Sequence, residues 1–380
     1  MKILFLDQSG KPGGAELCLL DIARSYHDRS LIALFSDGTF KEILEQYQVP
    51  VRVLSKQGIN IRKDYNAVQG IGQIGQLLPI LIQVTKLSYQ FDLIYANTPK
   101  ALIVGAIASL ISHRPLVYHL HDIISAEHFS ATNRSLLVNL ANRCASLVIA
   151  NSKASQAAFI KAGGRAELTE VVYNGFQPES YLVDESERSR LRTELGLGDR
   201  FVVGHFSRLS PWKGQHVLIE ALHYCPEDVS VLLVGDALFG EEAYKVQLWR
   251  QIAMLGLKPR VQFLGFRSDI PQLMAACDLV AHTSIAPEPF GRVIVEAMLS
   301  GTTVVAAADG GAVELIDHAQ TGWLCPPNDP QQLAEMVVMC RNQLAQTQAM
   351  AKHVQATASQ RFNLSHTNHQ IDQLLRQVLA

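Results

Sequence analysis

Short runs of β-branched and aromatic residues alternate along the chain with stretches that carry apolar residues at helical spacing. The runs at 2–6, 30–35, 51–54, 93–96, 116–120, 147–150 and 170–173 read as buried strands. Helix-period segments such as 16–26 and 153–162 lie between them. Near-continuous apolar strands separated by helices predict a parallel sheet covered on both faces. The pattern halts at 179–200, where Asp184-Glu185-Ser186-Glu187-Arg188 opens a charged stretch read as a linker and leading helix. A second series then runs through strands at 201–206, 229–234, 261–264, 279–282 and 303–307. The expected organisation is an α/β chain of two doubly wound domains, 1–178 and 201–350, joined by the 179–200 linker. A polar helical tail, 351–380, follows, and a return to the first domain is one of its alternatives. Ligands of such folds lie at the carboxyl ends of the strands, so a two-domain version would hold them in a cleft between its domains.

Composition fits this picture and excludes others. A chain of 380 residues is long for one core and suits two. Net charge is −2 but uneven, with 17 Lys and Arg against 13 Asp and Glu in 1–178, and 16 against 22 in 179–380. That excess is far below what a nucleic-acid binder carries. The mildly positive first half suits contact with an anionic membrane surface through 74–89, where Pro79 and Lys86 interrupt apolar residues. A buried core helix is the blander reading of the same stretch. The longest apolar run, 101–112, is too short to span a bilayer. The opening run ends at Asp7, too early for a signal peptide. Six scattered cysteines without C-x-x-C spacing read as buried thiols of a reducing compartment, neither disulfides nor metal ligands. A cytoplasmic location is expected.

The chemistry-bearing residues cluster where strands end. In Glu288-Pro-Phe-Gly-Arg-Val-Ile-Val-Glu296, prolines on both sides keep Glu288 out of a helix, while Glu296 lies about two turns along one that opens at Arg292. Acceptors for hydroxyls beside a helix N-terminus suit a polyhydroxyl ligand with a phosphate tail. After the strand at 201–206 come Arg208 and Lys213 in a Gly/Pro-framed loop. Arg forks onto paired oxygens and Lys adds a point charge, which suits a diphosphate. Val234-Gly235-Asp236, Gly265-Phe266-Arg267 and Asp309-Gly310-Gly311 end further strands and are places for a nucleotide. In the first domain, Gly13-Gly14 opens a helix after the first strand, without the G-x-G-x-x-G or P-loop pattern. His119 and His121 share one face of a strand end, but Asp122 and His128 do not follow at the spacing of metallohydrolase sites, so a substrate contact or a core histidine is expected in place of a metal pair. Asp-x-Asp is absent, which favours neutralisation by Arg208 and Lys213 over neutralisation by a metal.

In their order, Arg208…Lys213-Gly214, Phe263-Leu264-Gly265, Glu288 to Glu296, Gly310-Gly311…Glu314 and Thr321-Gly322 resemble the retaining GT-B glycosyltransferases of family 4. Asn174-Gly175 is similar to the turn that closes the first domain there. The resemblance implies two Rossmann-like domains facing across a cleft, the first for the acceptor and the second for a nucleotide-sugar donor. It implies that Arg208 and Lys213 neutralise the donor diphosphate. Glu288, with the backbone amides of Phe290 and Gly291, would take the sugar hydroxyls, and Glu296 the ribose. Phe266 and Arg267 would border the base, near the strand end at Gly235. Gly13 and Gly14 would approach the phosphates, and His121 the reacting sugar carbon. It further implies no cofactor, no metal and no side-chain nucleophile, retention coming from same-face attack.

The expected activity is transfer of a hexose, glucose first, from UDP-glucose to a saccharide or lipid-linked acceptor in polysaccharide biosynthesis. The alternatives are a nucleotide-sugar epimerase or hydrolase, a sugar phosphorylase, and a non-catalytic nucleotide-sugar binder on the same fold.

Overall fold

The computed structural model describes residues 1–55, 67–238 and 240–380, with backbone alone for 67–76. Two compact units result: Met1–Gly175 together with Leu364–Ala380, and Phe176–Asn363.

The first unit is built on seven parallel strands, β1 (Ile3–Asp7), β2 (Ser30–Leu34), β3 (Val51–Val53), β4 (Leu93–Ala96), β5 (Leu116–Leu120), β6 (Ala145–Ala150) and β7 (Thr169–Val171). Their order is β3-β2-β1-β4-β5-β6-β7. The inner strands β1, β4 and β5 are buried on both faces, which is why they read as unbroken apolar runs. Leu4, Leu6, Ile94 and Tyr118 pack on one side, Ile3, Phe5, Tyr95 and Val117 on the other. The chain moves outward from β1 through β2 and β3, then returns to β4 on the opposite side of β1. That reversal opens a crevice at the carboxyl ends of β1 and β4, where Asp7 and Asn97 sit.

The second unit repeats the plan with β8 (Phe201–Phe206), β9 (Val229–Val234), β10 (Val261–Gly265), β11 (Leu279–His282), β12 (Thr303–Ala307) and β13 (Trp323–Cys325). The order is β10-β9-β8-β11-β12-β13, so the reversal falls between β8 and β11. The loops leaving those two strands carry Arg208, Lys213 and Glu288.

The expected leading helix is present within 179–200, as Glu185–Glu194. The compact units divide at Gly175/Phe176, so this segment lies wholly in the second unit. Asp184 caps the helix Glu185–Glu194 by accepting from the Glu187 amide at 2.8 Å. Arg188 and Arg192 both reach the Asp278 carboxylate at 3.2 Å, and that carboxylate also accepts the Val202 amide at 2.8 Å. The helix is thereby fixed to the start of β8 and belongs to the second unit. The tail also divides differently. Helix Leu344–Arg361 stays with the second unit, where Gln355 donates to the Leu299 carbonyl at 2.8 Å. Only helix Leu364–Leu379 joins the first, with Tyr26 donating to Asp372 at 3.1 Å and Thr367 to the Tyr173 carbonyl at 3.2 Å. The three-residue strand β13 had no counterpart in the sequence reading.

Candidate functional site

The second unit brings Lys213 and Glu288 into contact. Their loops leave β8 and β11, and Lys213 Nζ lies 2.7 Å from Glu288 Oε2. Both side chains are largely buried, at 17% and 13% exposure. The same carboxylate oxygen accepts from Ser284 Oγ at 3.0 Å and meets His282 Nε2 at 3.2 Å. Burial alone would raise the Glu288 pKa, but the Lys213 ammonium and His282 outweigh it and hold the carboxyl well below the usual range. Glu288 is therefore a fixed anion that accepts hydrogen bonds and cannot donate them.

Backbone geometry holds this pair in place. Gly214, next to Lys213, has φ +72°, and a Cβ there would overlap the Thr283 carbonyl oxygen. Thr283 Oγ1 donates to the Lys213 carbonyl at 3.0 Å or the Gly214 carbonyl at 2.8 Å, and contacts His205 Nε2 at 3.0 Å. His205 is buried, which lowers its pKa to about 3 and keeps it neutral. On the other side, the Gly311 amide donates to the Glu288 carbonyl at 2.7 Å. The β8 and β11 loops are thus tied to each other and to the loop after β12.

Arg208 lies near this pair in sequence but has its own acid: its Nε is 3.2 Å from Glu241 Oε2. Glu296 sits on helix Arg292–Leu299 and pairs with Arg292 at 3.4 Å. The Arg292 guanidinium lies 4.5 Å over the Phe176 ring. Gly291 begins that helix at φ +97°. The Phe290 side chain is buried, its ring centroid 6.5 Å from that of Phe176 and 6.2 Å from that of Phe362. Gly235, at φ +127°, donates to the Gly265 carbonyl at 2.7 Å, and a Cβ there would overlap the Ser207 carbonyl oxygen. Phe266 is 78% exposed. Arg267 is forked onto Asp269, with its Nε 2.8 Å from Oδ1. Of that pair, Phe266 is the side chain left open to solvent.

In the first unit the residues gather at the β1/β4 crevice. Gly13 caps helix Gly14–Ala23 in an extended conformation, and a Cβ on it would come within 2.8 Å of Glu16 Oε2. Asp7 is fully buried and accepts from the Ser9 amide at 2.8 Å and from Asn97 Nδ2 at 2.7 Å. Asn97 Oδ1 in turn meets His121 Nε2 at 2.9 Å. His121 thus stands at the end of an Asp7–Asn97–His121 chain. His119 is buried behind it, its Nδ1 2.7 Å from the Tyr95 hydroxyl, and burial lowers its pKa to about 3. Cys18, from the helix above, completes a group with the two histidines. It is the only set of three metal-capable residues among the described residues, and the sequence reading did not foresee the cysteine.

Burial also sets the acids of this crevice. It pushes the Asp7 carboxyl up to about 6 and, helped by the charge of Asp7, the Glu16 carboxyl up to about 8. Glu16 is then protonated in the fold across a range where the unfolded chain, with its ordinary value of 4.5, has already ionised. The unfolded state binds fewer protons there, so this group makes stability fall as pH rises from 4.5 to about 8. Glu16→Gln is expected to flatten that part of the pH–stability curve, leaving the weaker slope from Asp7. Urea unfolding of parent and variant at pH 5 and pH 8 checks this; parallel curves would refute it.

The sequence reading missed Asp7, Glu16, Asn97, Glu241, His282 and Ser284. Asp7, Asn97, His282 and Ser284 stand at or just beyond a strand end, which was the available signal, whereas Glu16 and Glu241 lie at the starts of the helices that follow. The Asp7–Asn97 and Arg208–Glu241 pairings, 90 and 33 positions apart, could not be read from it.

Two parallel-sheet α/β units of this construction, with loop cations and carboxylates at the strand reversal of the second, define a GT-B glycosyltransferase fold. Residues 12–180 match the profile described as Glycosyltransferase Family 4, and residues 187–339 the profile described as Glycosyl transferases group 1. The chain belongs to the family 4 glycosyltransferases. It is similar to Anabaena HepE, solved in complex with UDP-glucose, at 60% identity and a TM-score of 0.93, over 99% of this chain and 100% of that one. It is also similar to the D-inositol 3-phosphate glycosyltransferase of Salinispora arenicola, 27% identical over 85% of this chain and 78% of the relative. Spore coat protein SA of Bacillus subtilis is 30% identical over 51% of this chain, and the match spans about half, 55%, of that relative's length.

Proposed function

We propose that the chain is a retaining glycosyltransferase that moves a hexose, glucose first, from UDP-glucose to a saccharide or lipid-linked acceptor in polysaccharide biosynthesis. The observation that carries this reading is the buried Lys213–Glu288 pair at the β8/β11 reversal. UDP-glucose is chosen because HepE, similar over its whole length, was solved with it. Breaking the sugar–diphosphate bond leaves an oxocarbenium-like centre and adds charge to the leaving phosphate. Lys213, held by Glu288, and Arg208, held by Glu241, supply positive charge that needs no reorganisation as that charge grows. Glu288 accepts from the sugar hydroxyls and Glu296 from the ribose, while Phe266 borders the base beside Gly235 and Arg267. The amides at Phe290 and Gly291 and the Gly13-Gly14 turn approach the donor, and His121 acts at the reacting carbon. No side chain serves as nucleophile; the leaving phosphate takes the acceptor proton on the same face of the sugar.

The test is a panel of labelled nucleotide sugars, each with and without lipid-linked and free oligosaccharides. Acceptor-dependent release of UDP from UDP-glucose, undiminished in EDTA, is expected. Donor binding without release under any acceptor would instead make the chain a nucleotide-sugar binder. Strict dependence on added metal would refute neutralisation by side-chain cations.

Contact with an anionic bilayer from the cytoplasmic side is part of this reading. Six free thiols support a reducing compartment. No helix among the described residues is long and apolar enough to cross a membrane. Helices Ala67–Ser88 and Pro99–Ser112 pack against each other and contain no acidic residue. The two helices and Tyr89 after the first expose Leu78, Ile82, Tyr89, Ile107, Leu110 and Ile111, and Lys86 is exposed on the first helix. Exposed apolar side chains with a cation and no acid on these helices suit a surface of acidic lipid headgroups. Ile74, at the start of the expected membrane stretch, lies outside the described side chains. The protein is expected to sediment with vesicles containing phosphatidylglycerol at low salt and to be released at high salt. Leu110→Asp with Ile111→Asp should abolish sedimentation; failure of the parent to sediment at low salt would refute the contact.

A further inference from the structure

We propose that Cys18, His119 and His121 form a binding site for a thiophilic divalent cation such as Zn2+, and that its occupation inhibits the protein. His119 and His121 are two apart at the end of β5 and so leave the same face of the sheet. The helix carrying Cys18 covers that face. One ligand atom from each of the three lies within 4.8 Å of the other two. Cation–ligand distances of about 2.0–2.3 Å put the donors of a tetrahedral Zn2+ site about 3.5 Å apart, so the cluster must close by about 1 Å. The His121 ring, only partly buried, is the member placed to move.

Two further observations point to a ligand. His119 Nε2 is buried and has no hydrogen-bond partner, although buried ring nitrogens are ordinarily satisfied. Each histidine is also held from behind through its other nitrogen. The Tyr95 hydroxyl contacts His119 Nδ1 at 2.7 Å, and Asn97, itself bonded to Asp7, contacts His121 Nε2 at 2.9 Å. Hydrogen bonds of this kind fix ring orientation and raise donor strength at metal-ligating histidines. A cation would be met by His119 Nε2, His121 Nδ1 and the Cys18 sulfur. The Cys18 thiol lies 3.3 Å from Asn174 Oδ1, and metal binding would displace its proton to solvent. One sulfur and two imidazoles select Zn2+ or a similar borderline ion over Mg2+ or Mn2+. Three protein donors leave a fourth position for water.

Inhibition follows because the ion would take the His121 ring; this part rests on the role proposed above for His121, whereas binding does not. The experiment titrates Zn2+ into the metal-free full chain against a chromophoric chelator, with Co2+ spectra in parallel, and compares Cys18→Ser and Cys18→Ala. One ion per chain is expected, with affinity at least about tenfold lower in both variants and the thiolate–Co2+ charge-transfer band lost. In chelator, parent and variants should transfer sugar equally; in Zn2+, the parent should be inhibited at lower concentration. Absence of one-to-one binding, or variants matching the parent in affinity, overturns the site. Binding as expected without inhibition overturns the regulatory part and removes His121 from the reaction.

Discussion

Lys213→Ala is expected to lower transfer by at least about a hundredfold and to destabilise the second unit at the same time. The first effect follows from losing one preorganised charge at the leaving phosphate, which is worth roughly 3 kcal/mol. The second follows from burial: removing one partner of a buried pair strands the other charge, typically at a cost of about 3–5 kcal/mol. Glu288 retains 13% exposure and keeps Ser284 and His282, so the lower part of that range applies. A double variant, Lys213→Ala with Glu288→Gln, separates the two effects. It should regain most of the stability, because no unpaired charge remains, and regain no activity. Thermal unfolding and UDP release, both measured well below the melting temperature of the single variant, decide the matter. Near-normal transfer by Lys213→Ala would remove the cation from the mechanism. A double variant less stable than both singles would contradict the pairing.

The pair also explains what was legible in the sequence and what was not. Buried strands announce themselves as apolar runs, so twelve of the thirteen among the described residues could be read, while the three-residue β13 was not. Glu288 stood out because Pro287 and Pro289 frame it, and Lys213 because a Gly/Pro loop carries it. Their contact did not, since 75 positions separate them and only the β8/β11 reversal closes that distance. The same limit hid what fixes the leading helix in 179–200: Asp278, the shared partner of Arg188 and Arg192, lies 86 to 90 positions on. His282 ends a fully buried strand, where a histidine reads as core until Glu288 is brought beside it. Asp7 and Glu16 flank the Gly13-Gly14 turn and were visible as residues. That both are buried acids became apparent only when helix Gly14–Ala23 was laid over the end of β1.

Gly310→Ala is expected to cost the protein its donor affinity, by about tenfold or more, through Glu288. Gly310 has φ +57°, a conformation an L-residue adopts at a cost of about 1 kcal/mol. That strain is the smaller part. A Cβ at this position would overlap the Glu288 carbonyl oxygen and lie 2.5 Å from its amide nitrogen. Neither neighbour is a flexible side-chain tip, so the backbone carrying Glu288 must move, and the 2.7 Å bond from the Gly311 amide to the Glu288 carbonyl must lengthen or break. A shift of about 1 Å in a carboxylate that orients a donor is enough to cost on the order of a hundredfold in rate. Gly256 provides the control: it has φ +69°, and a Cβ there would meet nothing within 4 Å. Gly256→Ala should lose about 1 kcal/mol of stability and keep the parental KM for UDP-glucose, while Gly310→Ala raises it. If both variants keep the parental KM, the loop after β12 does not position Glu288. If both raise it alike, backbone strain transmitted through the whole unit, and not the wedge at Glu288, governs donor binding.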